Sequence, residues 1–357
     1  MTHPYRSLPE NSFWRKSVAK KEMSEVEPVC DFGLTITKEC KVATAGSCFA
    51  QHIARHLSNS GFNYLVSETG NPLLSETIRK EQNYGLFSAR YGNIYTARQL
   101  LQLFKRAFGL LEPIDSYWEH EDGSFRDPFR PTTQIGGYPS IDELVEDRNL
   151  HLNKVREMFS KVDVFVFTLG LTECWRRKED GVVFPICPGV EGGVFDSDIY
   201  EFYNQNVNDI IADLKEFINL VRLRNPSVKI LFTVSPVPLM ATAEPGQHVL
   251  TATTYSKSVL RVAADEVVNQ STDTFYFPSY EIITGNFNRG SYYAEDLRSV
   301  VEDGVNHVMR VFFKNVTDKN LSETPENIPS KSKEQSKPTI KSIVDVECDE
   351  ELLDRHN

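Results

Sequence analysis

Short apolar runs alternate along this chain with stretches whose apolar residues return at helical spacing. Cys40-Lys41-Val42-Ala43-Thr44-Ala45 is small and apolar enough to form a buried strand. Phe49, Ala50, Ile53, Ala54 and Leu57 then recur as one face of a helix. A second strand is expected at 63–66, followed by a loop rich in Gly, Asn and Tyr that ends in Tyr91-Gly92-Asn93-Ile94-Tyr95. Thr96 fits the N-cap of a helix over 97–108, with Leu100, Leu101, Phe104 and Phe108 on its apolar face. Another helix begins near Ile141 and runs toward Phe159.

The clearest strand is Val162-Asp163-Val164-Phe165-Val166-Phe167-Thr168. Its nearly continuous apolar character predicts burial on both faces, as in a parallel sheet. Val207, Ile210, Ile211, Leu214, Phe217, Ile218 and Val221 mark a strongly amphipathic helix, ended by Arg224-Asn225-Pro226. A buried strand over 229–234 stops at Ser235-Pro236-Val237-Pro238. A helix over 254–269, a strand over 274–277 and a helix over 301–316 complete the pattern. Regular alternation predicts a three-layer α/β/α domain with a parallel central sheet, over 30–316.

Two segments break the periodicity. Residues 110–140 carry Pro113, Pro128, Pro131 and Pro139, and a second irregular insertion spans roughly 176–200. Loops of this length are expected to lie over a site or cover a sheet edge. Residues 1–29 read as an N-terminal extension. Residues 317–357 are rich in Ser, Lys, Glu, Pro and Asn and read as a disordered tail, with too few apolar groups to offset the ordering entropy.

Charge and composition remove several function classes. The hydrophobic fraction of 40 % supports a proper core. A net charge of −11 argues against a general nucleic-acid binder and gives no attraction to anionic membranes. No apolar segment follows the basic residues before Lys21, and no run is long enough to span a bilayer, so a cytoplasmic location is expected by default. The six cysteines, Cys30, Cys40, Cys48, Cys174, Cys187 and Cys348, include no CxxC pair and read as free thiols. His52 and His56 have the spacing of a zinc-binding HExxH helix, but Ile53 replaces its glutamate and no third ligand is evident. No metal and no cofactor are expected.

The candidate chemistry lies at Gly46-Ser47-Cys48, between the first strand and its helix. A thiol at a helix N-terminus is favoured as the reactive thiolate. The competing reading is a small apolar cysteine packed in a core.

Gly46-Ser47-Cys48-Phe49-Ala50 resembles the signature of the GSCFA family. Segments 91–96, 168–173, 235–237 and 276–281 also resemble that family, in order, over roughly residues 30–315. The family is grouped with the SGNH or GDSL-like hydrolases. The resemblance therefore implies a flavodoxin-like sandwich and acyl-ester hydrolysis or acyl transfer. It implies Cys48 as nucleophile, where those enzymes carry serine. It implies an oxyanion hole from Phe49, from Gly92 and Asn93, and from Gly170 and Thr172. Thr172 stands where an asparagine is usual, and losing such a donor typically costs about 10²–10³ in rate; simple strand-end capping by Thr172 and Glu173 is the alternative.

The fourth block departs from the family pattern. Asp296 of its DxxH is present, but Ser299 stands where histidine belongs. Two replacement bases are weighed. His248, after the 229–234 strand, ranks first; His52 follows Cys48 by one helical turn. His307 is expected to be a surface or packing residue. Glu173, Arg126, Arg130 and Arg176 are candidates for holding the substrate, with Arg177 beside them; ordinary solvated arginines are the alternative. The substrate implied is a small-molecule, saccharide or glycolipid acyl ester. A non-catalytic ligand-binding protein with a degenerate crevice is the other class.

Overall fold

The apolar runs become strands because helices cover both of their faces. The computed structural model describes residues 3–318 and Leu352. The first half contains β1 (Val42–Gly46), α1 (Phe49–Asn59), α2 (Glu76–Glu81), α3 (Ala97–Ala107), β2 (Trp118–Glu119), β3 (Phe125–Arg126) and α4 (Ile141–Lys161). Then come β4 (Val164–Leu169), β5 (Glu173–Arg177), β6 (Val183–Phe184), β7 (Tyr200–Asn204), α5 (Val207–Arg224) and β8 (Lys229–Val234). The chain continues with α6 (Val249–Gln270), β9 (Thr274–Tyr276), α7 (Ser279–Thr284) and α8 (Glu302–Val316).

Four strands form a parallel sheet in the order β1-β4-β8-β9. Gly46 lies opposite Thr168 and Thr168 opposite Thr233, so these three strands end along one edge. The strand expected at 63–66 is reduced to a parallel bridge, Val42 with Tyr64. Counted as an edge, it gives the doubly wound order whose crevice lies at the strands' carboxyl ends.

One face is covered by α3 to α6, with Leu100, Phe104, Phe159, Phe217 and Leu260 packed on Phe165 and Phe232. The other is covered by α1 and α8, through Phe49, Ile53, Leu57, Val308 and Phe312. The result is a three-layer α/β/α fold. The helix expected from 254 begins at Val249, because His248 caps it: its Nδ1 accepts the Leu250 N–H at 3.1 Å. Among the described residues, no helix is long and apolar enough to cross a membrane.

The second insertion is not irregular throughout. β5 pairs with β6 and β7 in a small antiparallel sheet. The first insertion is fastened by buried charge. Asp127 accepts from Arg130 Nε at 2.9 Å and Arg148 Nε at 3.2 Å. Asp147 accepts from Arg130 at 2.5 Å, Tyr138 at 2.5 Å and Arg90 at 3.3 Å. Glu68 meets His151 at 2.8 Å and the Arg90 amide at 2.7 Å.

Burial pushes the Glu68 carboxyl up, but His151, Arg130 and the Arg90 N–H outweigh it and hold it down to about 2. A carboxylate depressed on folding adds stability above its unfolded pKa and loses it as pH falls through the folded value. Stability should therefore drop between the ordinary value of 4.5 and about 2. Glu68→Gln should flatten that acid limb by an amount on the order of 3 kcal/mol at most. Urea unfolding across pH 2–6 checks this, and an unchanged limb would refute it.

The N-terminal segment lies along α8. His307 is a packing residue, as expected: Nε2 donates to the Val26 carbonyl at 2.9 Å and Nδ1 meets the Tyr292 hydroxyl at 2.6 Å. Glu27 pairs with Arg310 at 3.1 Å and Lys314 at 2.8 Å. At the other end Thr317 bridges to Ile36. The tail expected over 317–357 lies outside the described residues from 319 onward, Leu352 excepted.

Candidate active site

β1 can end where it does only because residue 46 is glycine. Its φ is +139°, and a Cβ there would stand 2.4 Å from the Thr168 carbonyl oxygen. The Ser47 amide donates to that oxygen at 3.3 Å, and the chain turns straight into α1. Cys48 is the N-cap, already helical at φ −50° and ψ −31°. The half-buried thiol thus stands at the open end of the sheet. The Phe49 amide beside it belongs to the first turn, whose N–H groups have no partner within the helix.

Two loops close on this turn. The Ile94 amide donates to Gly46 O at 2.8 Å, which fixes Gly92 and Asn93 next to it. Gly92 holds a left-handed φ of +68°. The Gly170 and Leu171 amides both donate to Tyr95 O, at 2.9 and 3.1 Å. A Cβ on Gly170 would lie 3.0 Å from that oxygen and 3.3 Å from Ser47 Cβ. Sequence segments far apart in the chain, around 46–49, 92–95 and 170–172, therefore meet at one point.

Thr172 is fully buried, and its hydroxyl donates to Asn204 Oδ1 at 2.7 Å. Its amide donates to Ser256 Oγ at 3.1 Å. The next residue on α6, Lys257, is buried and donates to Gly170 O at 2.5 Å. Reading the sequence missed Lys257. Its spacing to the buried Leu260 and Ala264 was the available signal.

The other predicted residues are dispersed. Glu173 accepts from Thr242 Oγ1 at 2.7 Å and the Ala243 amide at 3.3 Å, tying β5 to the loop after β8. Arg176 pairs with Glu201 at 2.6 Å and lies over the Tyr203 ring at 4.0 Å. Arg177 pairs with Asp115 at 2.7 Å. Arg126 and Arg130 do not sit on an open rim. Arg126 is buried beside Ser124 and Glu191 of the second insertion, and Arg130 is buried between Asp127 and Asp147 of α4, so both are paired inside the fold rather than presented to solvent.

The two histidines weighed as bases differ sharply. His248 is exposed and caps α6 with its Nδ1. His52, one turn beyond Cys48 on α1, faces Arg55 Nη2 across 3.1 Å at its Nδ1. Arginine has no acceptor, so Nδ1 accepts and Nε2 carries the ring proton. The fourth block stands at the same edge of the sheet. Arg298 Nε donates to Pro238 O at 3.2 Å and Tyr293 OH to Pro236 O at 2.9 Å, both in the loop after β8. Within it, Ser299 Oγ donates to Asp296 Oδ2 at 2.5 Å. Among the described residues, no three His, Cys, Asp or Glu side chains are grouped to hold a metal ion.

Comparison with known proteins adds a family. No curated protein matches the chain. Two solved structures show weak likeness. One is a serine-to-alanine mutant of an acetyl esterase with an acetate ion: 11 % identity, 75 % of this chain and 92 % of that one, TM-score 0.35. The other is a carbohydrate esterase family 3 protein from Talaromyces cellulolyticus: 15 % identity, 61 % of this chain and 87 % of that one, TM-score 0.24. The GSCFA family model matches residues 41–312, and with the Cys48 turn at the head of that match the chain belongs to the GSCFA family.

Proposed function

We propose that this protein transfers or hydrolyses acyl esters with Cys48 as the nucleophile. The observation that carries the reading is the meeting of three segments at the N-terminus of α1: the Cys48 turn, the Gly92–Asn93 loop and the Gly170 turn. A tetrahedral oxyanion requires N–H donors beside the nucleophile, and the backbone of the Cys48 turn and of the Gly92–Asn93 loop is what this junction offers for them. Phe49, Gly92 and Asn93 are the donors in this reading. Thr172 contributes by position, since its hydroxyl is engaged with Asn204.

The Cys48 thiolate attacks the ester carbonyl, and a C–S bond forms. The thiol proton has passed to the His52 ring, which as an imidazolium has let go of Arg55; the C–O bond breaks, and the leaving alkoxide takes the Nε2 proton of that imidazolium, leaving a neutral imidazole. Water or an acceptor hydroxyl then attacks the thioester, returning a proton to the imidazole and releasing acid or new ester. Residues four apart on a helix are neighbours, about 5–6 Å between Cβ atoms, and this spacing supports His52 as the partner of Cys48. A saccharide or glycolipid ester is the substrate class that the family resemblance suggests.

The test is single-turnover acylation by p-nitrophenyl acetate, with the acyl group located by peptide mass. His52→Ala should slow acylation by about 10²–10⁴, whereas His248→Ala should leave it within about threefold. The reverse pattern would reassign the acid–base role to His248.

One observation favours a second reading, a binding protein that does not turn over. Ser299 occupies the histidine position and is bonded to Asp296. Under that reading the wild type shows no burst, and Ser299→His creates one.

A further inference from the structure

A cleft of about 400 Å³ opens beside the Gly170 turn, between the small antiparallel sheet and the loop after β8. Its walls include Leu171, Trp175, Ile186, Val190, Phe202 and Leu239. The volume falls in the range of small-ligand sites, about 300–1,000 Å³. Leu171 connects it to the Cys48 turn: Gly170, one residue earlier, lies against Ser47, and Leu171 packs with Tyr95 and Leu239.

The lining is poor in groups that a sugar would need. Glu173 is the carboxylate at the cleft, and its oxygens already accept from Thr242 and the Ala243 amide. Burial pushes the Cys187 thiol up to about 12, so that part of the wall is neutral. A mainly apolar wall, whose one carboxylate is already bonded to Thr242 and the Ala243 amide, disfavours a polyol, whose hydroxyls would lose water and gain few partners. It suits a hydrocarbon chain. At about 30 Å³ per water-sized group, the space holds roughly a dozen such groups.

We infer that this cleft seats the acyl chain of the substrate, and that the chain is of medium length rather than acetyl. The inference rests on the acyl-ester reading above. It sets the alcohol or sugar part of the substrate on the solvent side of Cys48, with the hydrocarbon running along Leu171 toward Trp175.

Two measurements test it. In the first, kcat/KM is compared for p-nitrophenyl octanoate and acetate. Each buried methylene adds about fourfold, so even partial burial of six should favour octanoate by at least about 30-fold. Ala241→Trp, on the exposed loop lining the cleft, should collapse that ratio to within about threefold. Acetate turnover with a wild-type ratio below about three, or a ratio that survives Ala241→Trp, overturns the inference and leaves the acyl-ester reading standing. In the second, the Cys48→Ala protein is titrated with methyl octanoate while tryptophan fluorescence is followed. A saturable change, lost in Trp175→Phe and in Ala241→Trp, supports the cleft even if no ester is turned over. No saturable change overturns it, whatever the ester assays give.

Discussion

Cys48→Ala should abolish ester turnover, lowering the acylation rate by at least about 10³, since loss of a nucleophile removes the covalent route itself. The fold should survive. The Cys48 side chain does not cap α1, and the turn is held by backbone bonds of Gly46, Ser47 and Ala50 that alanine keeps. The melting temperature should therefore stay within a few degrees, which separates lost chemistry from lost structure. Cys48→Ser should keep only a small residue of activity, because a hydroxyl is far less ionised than a thiol at neutral pH. Iodoacetamide gives an independent readout. Cys30 is exposed, so labelling is done on Cys30→Ser protein. Burial pushes both Cys174 and Cys187 up to about 12, and those thiols should resist. Preferential labelling of Cys48 that blocks acylation is the expected result. Full activity after complete modification of Cys48, or in Cys48→Ala, would end the nucleophile reading.

Asp127→Ala should cost about 3–5 kcal/mol, the typical effect of removing one partner from a buried ion pair. Burial alone would raise the Asp127 carboxyl, but Arg148, Arg130 and Arg106 reverse that and hold it well below the ordinary carboxylate range. Without it, Arg130 keeps Asp147, but Arg148 loses its carboxylate and Arg106 its nearest compensation. The guanidinium of Arg106 lies 3.7 Å from the Phe129 ring centre, so the disturbance reaches the insertion's packing. Thermal melts should fall by roughly 10 °C, given about 2–4 °C per kcal/mol for large domains. Limited proteolysis should cut within 110–140 before the sheet is attacked. A loss under about 1 kcal/mol would show that the charges are solvated and that the insertion is held by its apolar contacts.

Local periodicity in the sequence was enough to place most of the fold. The runs 42–46, 164–169, 229–234 and 274–276 are strands, and the continuous burial of 42–46, 164–169 and 230–234 follows from apolar residues on both sides. Thr96 caps α3 together with Gln99, and Asn206 caps α5 with Asp209, because side-chain oxygens satisfy first-turn amides locally. The strand–Gly–Ser–Cys–helix junction was also legible, since neighbours in sequence made it.

Contacts between distant segments were decided only by the tertiary structure. No local pattern states that Gly46 pairs with Thr168, or that Tyr95 O receives both Gly170 and Leu171. Arg126 and Arg130 read as rim candidates for holding substrate, with solvated charge as the alternative, yet both are buried, Arg130 against the equally buried Asp127. Lys257 drew no notice in the sequence, and the carbonyl that holds it lies on another strand's turn. His248 fell in the expected loop yet turned onto its own helix end. The reason is common to all of these. A residue's hydrophobic period reports how much water it loses, whereas its partner is set by sheet register and helix packing, which join segments remote in the chain.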